Sequence, residues 1–206
     1  MKLCMFTPIE LDLERGWPGK LDGDRVIQVA AQTLQAFFTG GGMAREHAVY
    51  PLAEVRFLVP VLRPPAIRVF DGEDFHFANP TSLYGPDEDV PVPAEPIEAV
   101  LRPAAVIGAL EQIGGFTVMN DWRAPGLPGA KAWDFATSLG PIVVTPDEFI
   151  PAGVDWEWLV DDARRNTELL PGDVIAADPI DTRAVARGET VELELEGIGV
   201  LRNRSV

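Results

Sequence analysis

The sequence holds a single cysteine, Cys4, and only two histidines, His47 and His76. One cysteine excludes both a disulfide framework within the chain and a cysteine-based zinc site. Two histidines leave no zinc-binding histidine pattern, and neither a nucleophile elbow nor a glycine-rich phosphate loop is present. No apolar run approaches the ~20 residues of a membrane-spanning helix. The start, MKLCMFTPIE, lacks a basic segment before a long apolar stretch, so no signal peptide is expected. Basic residues are scarce: 17 Lys and Arg stand against 32 Asp and Glu, a net charge of −15. With no Lys or Arg cluster to grip phosphates, nucleic acid is excluded as a partner. A reducing cytoplasm is the expected location. Cys4, in an apolar start that reads as a strand, is expected to be a buried structural thiol.

What is present is a globular composition. Hydrophobic residues make up 47% of 206 residues, enough for one substantial core with a small appended lobe. Nineteen glycines and nineteen prolines break the chain into short elements. MKLCMF and DRVIQVA read as strands around the turn LDGD at Leu21 to Asp24. VAAQTLQAFFTGGG reads as an amphipathic helix stopped by Gly40 to Gly42. A second helical stretch is read from Gly42 to Tyr50, with His47 solvated on it. VPVLRPP, ending at Pro65, cannot be regular helix. It is read as the link between a small N-terminal lobe, residues 1–59, and a main domain, residues 60–206. Beyond it, AAVIGAL, GGFTVMND, GPIVVTP, GDVIAA and ETVELELEGIGVLRN read as strands. Val191 to Leu195 shows the alternation of a half-exposed one. WEWLVDDARRNTELL reads as a helix ended by Pro171 and Gly172. The fold class is therefore α+β with a β-rich core.

Several of these phrases occur in the order seen in one family. VPVLRPP, NPTSLYGPDEDVPVP (Asn79 to Pro93), AAVIG (Ala104 to Gly108), the pair Asn120-Asp121, GAKAWDFATSLGPIVVTPDEF (Gly129 to Phe149), LLPGDVIA and GETVELELEGIGVLRNRSV together resemble the fumarylacetoacetate hydrolase family over residues 60 to 206. The resemblance implies a mixed β-roll behind a small N-terminal lobe, and a homodimer. It also implies chemistry on small oxo acids or 1,3-dicarbonyls: C–C hydrolysis, decarboxylation, isomerisation or cyclisation. That family holds magnesium or manganese with a Glu-x-Glu pair and an Asp, a hard oxygen site suited to such an ion.

The departures from the pattern are as informative. In EAVLRPAAVIG the two glutamate positions fall on Val100 and Arg102. Glu98 lies two residues early, ~6.6 Å along an extended strand. Asp121 matches the third ligand. The lid segment is shortened to IRVFDGEDFHFANP, and residues Ala177 to Asp181 replace the turn that follows GDVIA. The site expected from the resemblance is therefore metal-free and cofactor-free. Asp121 and His76 are the proton-moving candidates. Arg102 and Lys131 are the anchors for a small anionic ligand, with Asp134 a loop partner of Lys131. Arg102 is expected to occupy the missing ion's space and pair with Asp121. Each residue also has a plain structural role open to it: a surface lysine, a satisfied histidine, a buried ion pair. Two functions stay open: a metal-independent enzyme, or a non-catalytic relative that binds a ligand or a partner subunit. A roomy pocket lined by Arg102, Asp121 and Lys131 favours the first, and side chains filling that space favour the second. Trp122, Trp133, Trp156 and Trp158 are candidate pocket walls, the last two more naturally packing at a helix start.

Overall fold

The computed structural model describes residues 1–206. In chain order the elements are β1 (Lys2–Pro8), β2 (Trp17–Asp22), β3 (Arg25–Val29), α1 (Leu34–Thr39), β4 (Glu46–Pro51) and β5 (Val55–Leu58). There follow β6 (Ile67–Asp71), β7 (Asp74–Ala78), β8 (Leu83–Tyr84), β9 (Asp89–Val90), β10 (Ile97–Ile107), β11 (Ile113–Asp121) and β12 (Thr137–Val144). The chain closes with α2 (Trp156–Ala163), β13 (Val174–Ala176), β14 (Asp181–Val185), β15 (Thr190–Leu195) and β16 (Gly199–Ser205). Thirteen strands form one mixed sheet along the order β4-β3-β2-β1-β12-β11-β10-β13-β6-β7, with β5, β8 and β14 branching from it. β15, β16 and β9 form a second, smaller sheet. The β-rich α+β reading holds, and the architecture is a mixed β-roll. No helix is long and apolar enough to cross a membrane.

Residues 1–59 supply β1 to β5 and are tied to the remainder by the β1–β12 pairing, Lys2 opposite Val144 and Leu3 opposite Val143. Cys4 is fully buried on β1, and burial pushes its thiol far above the usual range, which leaves it inert. Trp17 and Tyr50 stack on one another and both meet Phe6. Tyr50 sits on a strand: the stretch read as helical between Gly42 and Tyr50 is not a helix, and from Glu46 onward it forms β4, paired with β3 through Val26–Tyr50 and Ile27–Val49. His47 is thus exposed on an edge strand. HAVY carries the β-branched Val49 and the aromatic Tyr50, and a strand lets Tyr50 reach its aromatic partners.

Both helices are shorter than the periodicity suggests. α1 begins after Thr33, whose side chain accepts the Ala36 N–H, and ends at Gly40, while Val29 belongs to β3. α2 is capped by Asp155 through the Trp158 N–H and stops at Arg164, well before Pro171. Trp156 is buried at its start, against Phe116.

β10 is the spine of the molecule, with β11 along one edge and β14 and then β13 along the other. Ala105 and Ile107 pack into one apolar cluster and Ala104 and Val106 into another, the two-residue alternation of a strand covered on both faces. Proline rarely lies inside a central strand because it removes a ladder donor. Pro103 is accommodated because β14 pairing ends at Leu101 and β13 pairing begins at Ala104. The missing N–H falls at that break, where the Pro103 carbonyl accepts from Ala177 N.

Candidate functional site

The break in the β10 ladder is also where the charged residues meet. Arg102 projects from β10 and is fully buried. Its Nε donates to Asp121 Oδ2 at 3.2 Å, and its Nη2 donates to Asp71 Oδ1 at 2.8 Å. Its Nη1 donates to the Phe70 carbonyl at 2.7 Å and the Ala177 carbonyl at 3.0 Å. Those carbonyls lie at the end of β6 and just past β13, where the ladders run out. The expected pairing of Arg102 with Asp121 is therefore present.

Asp121 ends β11 and is fully buried opposite Thr137 of β12. Its Oδ2 also accepts from Arg123, at 3.1 Å from Nε and 3.0 Å from Nη2. Arg123 Nη2 also bonds Asp71 Oδ2 at 3.1 Å. Arg123 is fixed from behind by a two-way backbone bridge to Glu98, which is the part Glu98 plays here. The result is a closed quartet of two carboxylates and two guanidiniums. Asp121 Oδ1 is its one buried acceptor without a donor. The two carboxylates also hold the Arg123 guanidinium above its ordinary range, against the opposing effect of burial. Burial pushes the Asp71 carboxyl up, but the bonds and charges of Arg102 and Arg123 bring it below its ordinary 3.8.

Asp71 and Arg123 were not among the residues singled out from the sequence. The signal for Asp71 lies in DGED: a glycine turn between two alternating strands. The structure makes it the tight β6–β7 hairpin, with Asp71 opposite Asp74 and Gly72 at positive φ. The Gly72 N–H donates to Asp178 Oδ1 at 2.8 Å. For Arg123 the signal is its place two residues beyond Asp121, on the same side of an extended chain.

His76 lies on β7 across from Val69. Its Nδ1 is 3.9 Å from Asp71 Oδ2, its ring centroid is 4.8 Å from that of Trp133, and its Nε2 has no hydrogen-bond partner. Burial pushes its pKa below the ordinary 6.5, against the opposing field of Asp121 and Asp71. The imidazole is neutral at neutral pH.

Lys131 is not part of the quartet. It is exposed and pairs with Asp134 at 2.6 Å, two residues from Trp133. Trp122 lines no pocket: it is fully buried and donates to Ser138 Oγ at 2.9 Å. Trp133 alone of the four tryptophans faces the cluster, through His76. The two inner members, Arg102 and Asp121, fill their space with side chains rather than lining a cavity.

No family model matches the chain. Protein Rv2993c of Mycobacterium tuberculosis (strain ATCC 25618 / H37Rv) is 28% identical, over 75% of this chain and 80% of that protein. The structure of 5-carboxymethyl-2-hydroxymuconate delta-isomerase from Mycobacterium smegmatis superposes with a TM-score of 0.79 at 24% identity, covering 100% of this chain and 99% of that one. Maleylpyruvate hydrolase from Sphingobium sp. SYK-6, solved with manganese(II) and pyruvate, gives 0.81 at 20% identity with the same coverage. At these identities the likeness establishes the fold. The chain has the fold of the fumarylacetoacetate hydrolase family, as its ordered phrases imply.

The residues present do not fit the divalent ion that the family resemblance implies. No three His, Cys, Asp or Glu side chains converge in a metal-holding arrangement. Asp121 Oδ2 and both Asp71 oxygens already accept guanidinium N–H donors. An ion placed among them would face two fixed positive charges.

Proposed function

We propose that the chain is an enzyme of the fumarylacetoacetate hydrolase type that acts on a small oxo acid or 1,3-dicarbonyl without a divalent ion. The inner pair, Arg102 and Asp121, holds the site together, and the chemistry belongs to the rim. The observation that carries this reading is the half-buried rim of His76 and Arg123: burial favours the neutral form of the imidazole, and its Nε2, buried and unpartnered in this conformation, would have to be uncovered for a substrate to reach it. A neutral imidazole can take a proton from a carbon next to a carbonyl, the first step of keto–enol isomerisation. Arg123 has donors to spare, because its Nη1 makes no bond within the quartet, and a carboxylate or enolate oxygen can accept from it. Lys131, on the loop that carries Trp133, would meet a second carboxylate after parting from Asp134. Homologous folds that act as an isomerase and a hydrolase support this class of substrate.

A second reading is favoured by the closure of the quartet. Its four charges cancel, and two of its members are out of reach of any ligand. In that reading the chain keeps the fold as a non-catalytic ligand-binding or partner-subunit protein.

One experiment separates the two. Oxaloacetate and acetylpyruvate are incubated with the protein in deuterated buffer with excess EDTA, and exchange at the carbon between or beside the carbonyls is followed by NMR. Enzyme action predicts exchange above the buffer rate, reduced on the order of 100-fold by His76→Ala and weakened in KM by Lys131→Ala. No exchange above buffer contradicts it, and binding without exchange is the outcome of the second reading.

A further inference from the structure

We propose that Arg102 is a tethered cation seated in a preformed oxygen cage, and that this cage binds a free guanidinium ion when the side chain is cut away. The proposal rests on the metal-free half of the reading above and not on its catalysis. It is read out by stability alone, so it stands or fails separately from any turnover.

The cage has four oxygens from four places in the chain. Two are main-chain carbonyls, Phe70 and Ala177, and two are carboxylate oxygens, Asp71 Oδ1 and Asp121 Oδ2. Together they accept four of the five N–H donors of one planar group, at 2.7 to 3.2 Å. Carbonyls at strand ends ordinarily find a ladder partner or water. Here the break between β13 and β14 leaves them directed at a buried cation.

The cage does not depend on Arg102 for its shape. The Phe70 carbonyl is set by the pairing of Phe70 with Phe75 in the β6–β7 hairpin, and the Ala177 carbonyl by the bond from Ala177 N–H to the Pro103 carbonyl. The two carboxylates remain bridged by Arg123, whose Nη2 bonds both. A site held by its surroundings loses little order when empty, which is the condition under which a small ion can replace a missing side chain. A planar, weakly hydrated group suits it better than a compact ion that demands octahedral ligands.

The test is Arg102→Ala, melted with increasing guanidinium chloride up to about 50 mM and, in parallel, with sodium chloride at equal ionic strength. The variant is expected to melt roughly 10 °C below the wild type and to recover at least half of that loss with guanidinium only. The wild type is expected not to rise. A variant raised no more by guanidinium than by sodium overturns the proposal. So does a larger rise with manganese chloride, which would assign the cage to a metal. If Arg102→Ala is unfolded on its own, refolding on addition of guanidinium, followed by circular dichroism, is the supporting result. Failure to refold, or an Arg102→Lys variant melting with the wild type, overturns it.

Discussion

Arg102 and Asp121 are each fully buried, so their worth is set by what happens when one is left alone. Arg102→Ala takes from the Phe70 and Ala177 carbonyls and Asp71 Oδ1 the donor Arg102 gave them and leaves buried Asp121 to Arg123 alone, and is expected to cost roughly 3–5 kcal/mol in chemical denaturation. Replacing both by apolar residues, Arg102→Met with Asp121→Leu, is expected to cost less than Arg102→Ala alone, because Asp71 and Arg123 still satisfy each other. A double variant less stable than the single one contradicts this. His76 gives a pH signature. Its folded pKa lies below the ordinary 6.5, so under acid the unfolded chain binds the proton more readily than the folded one. Its contribution is constant above about 6.5, and stability falls as pH drops from there towards the folded pKa. His76→Asn is expected to flatten the fall of denaturation midpoints as pH drops below about 6.5; an unchanged slope contradicts the assignment. Asp71 acts lower, its contribution lost only below 3.8 as pH falls through its depressed pKa. The Arg102–Asp121 pair was legible in the sequence because one acid kept its place while a cation replaced another. Asp71 was not, because its part depends on a hairpin bringing residue 71 beside residue 102.

At the scale of elements, the β6–β7 hairpin carries the site. It brings in Asp71, the Phe70 carbonyl and His76 within one tight turn. Gly72 takes φ +68 there, and a Cβ at that position meets nothing within 4 Å. Gly72→Ala is therefore expected to cost only the left-handed backbone preference, about 1 kcal/mol. It should also raise mobility at Asp71, measurable as faster amide exchange along β7. A loss several times larger would show that the turn is held by contacts other than its backbone. Strand content was legible here because β-branched runs, glycines and prolines mark strands directly. The β4 segment was misread because GMAREHAVY holds helix formers in its first half, while the stack of Tyr50 on Trp17 and Phe6 decides the outcome from far along the chain. Helix lengths were overestimated for a related reason: apolar periodicity continues into loops that pack on the sheet without being helical.

At the scale of the whole molecule, the ordered phrases along residues 60–206 carried the fold further than periodicity could, since periodicity ends at α+β. The family resemblance also implies a homodimer. Light scattering at tens of micromolar is expected to give twice 22.4 kDa, and a mass near 22.4 kDa contradicts it. With a net charge of −15 on each chain, that mass is expected to hold or increase as salt screens repulsion. The metal question also belongs to the whole molecule, because an acidic surface attracts divalent ions weakly and non-specifically, whereas a built site binds them in a fixed ratio. The most direct measurement is calorimetric titration of magnesium and of manganese into the wild-type protein at moderate salt. With Arg102 and Arg123 among the carboxylates, no saturable one-to-one binding is expected up to about millimolar ion. A saturating isotherm at micromolar affinity or tighter, with one ion per chain, would contradict the account.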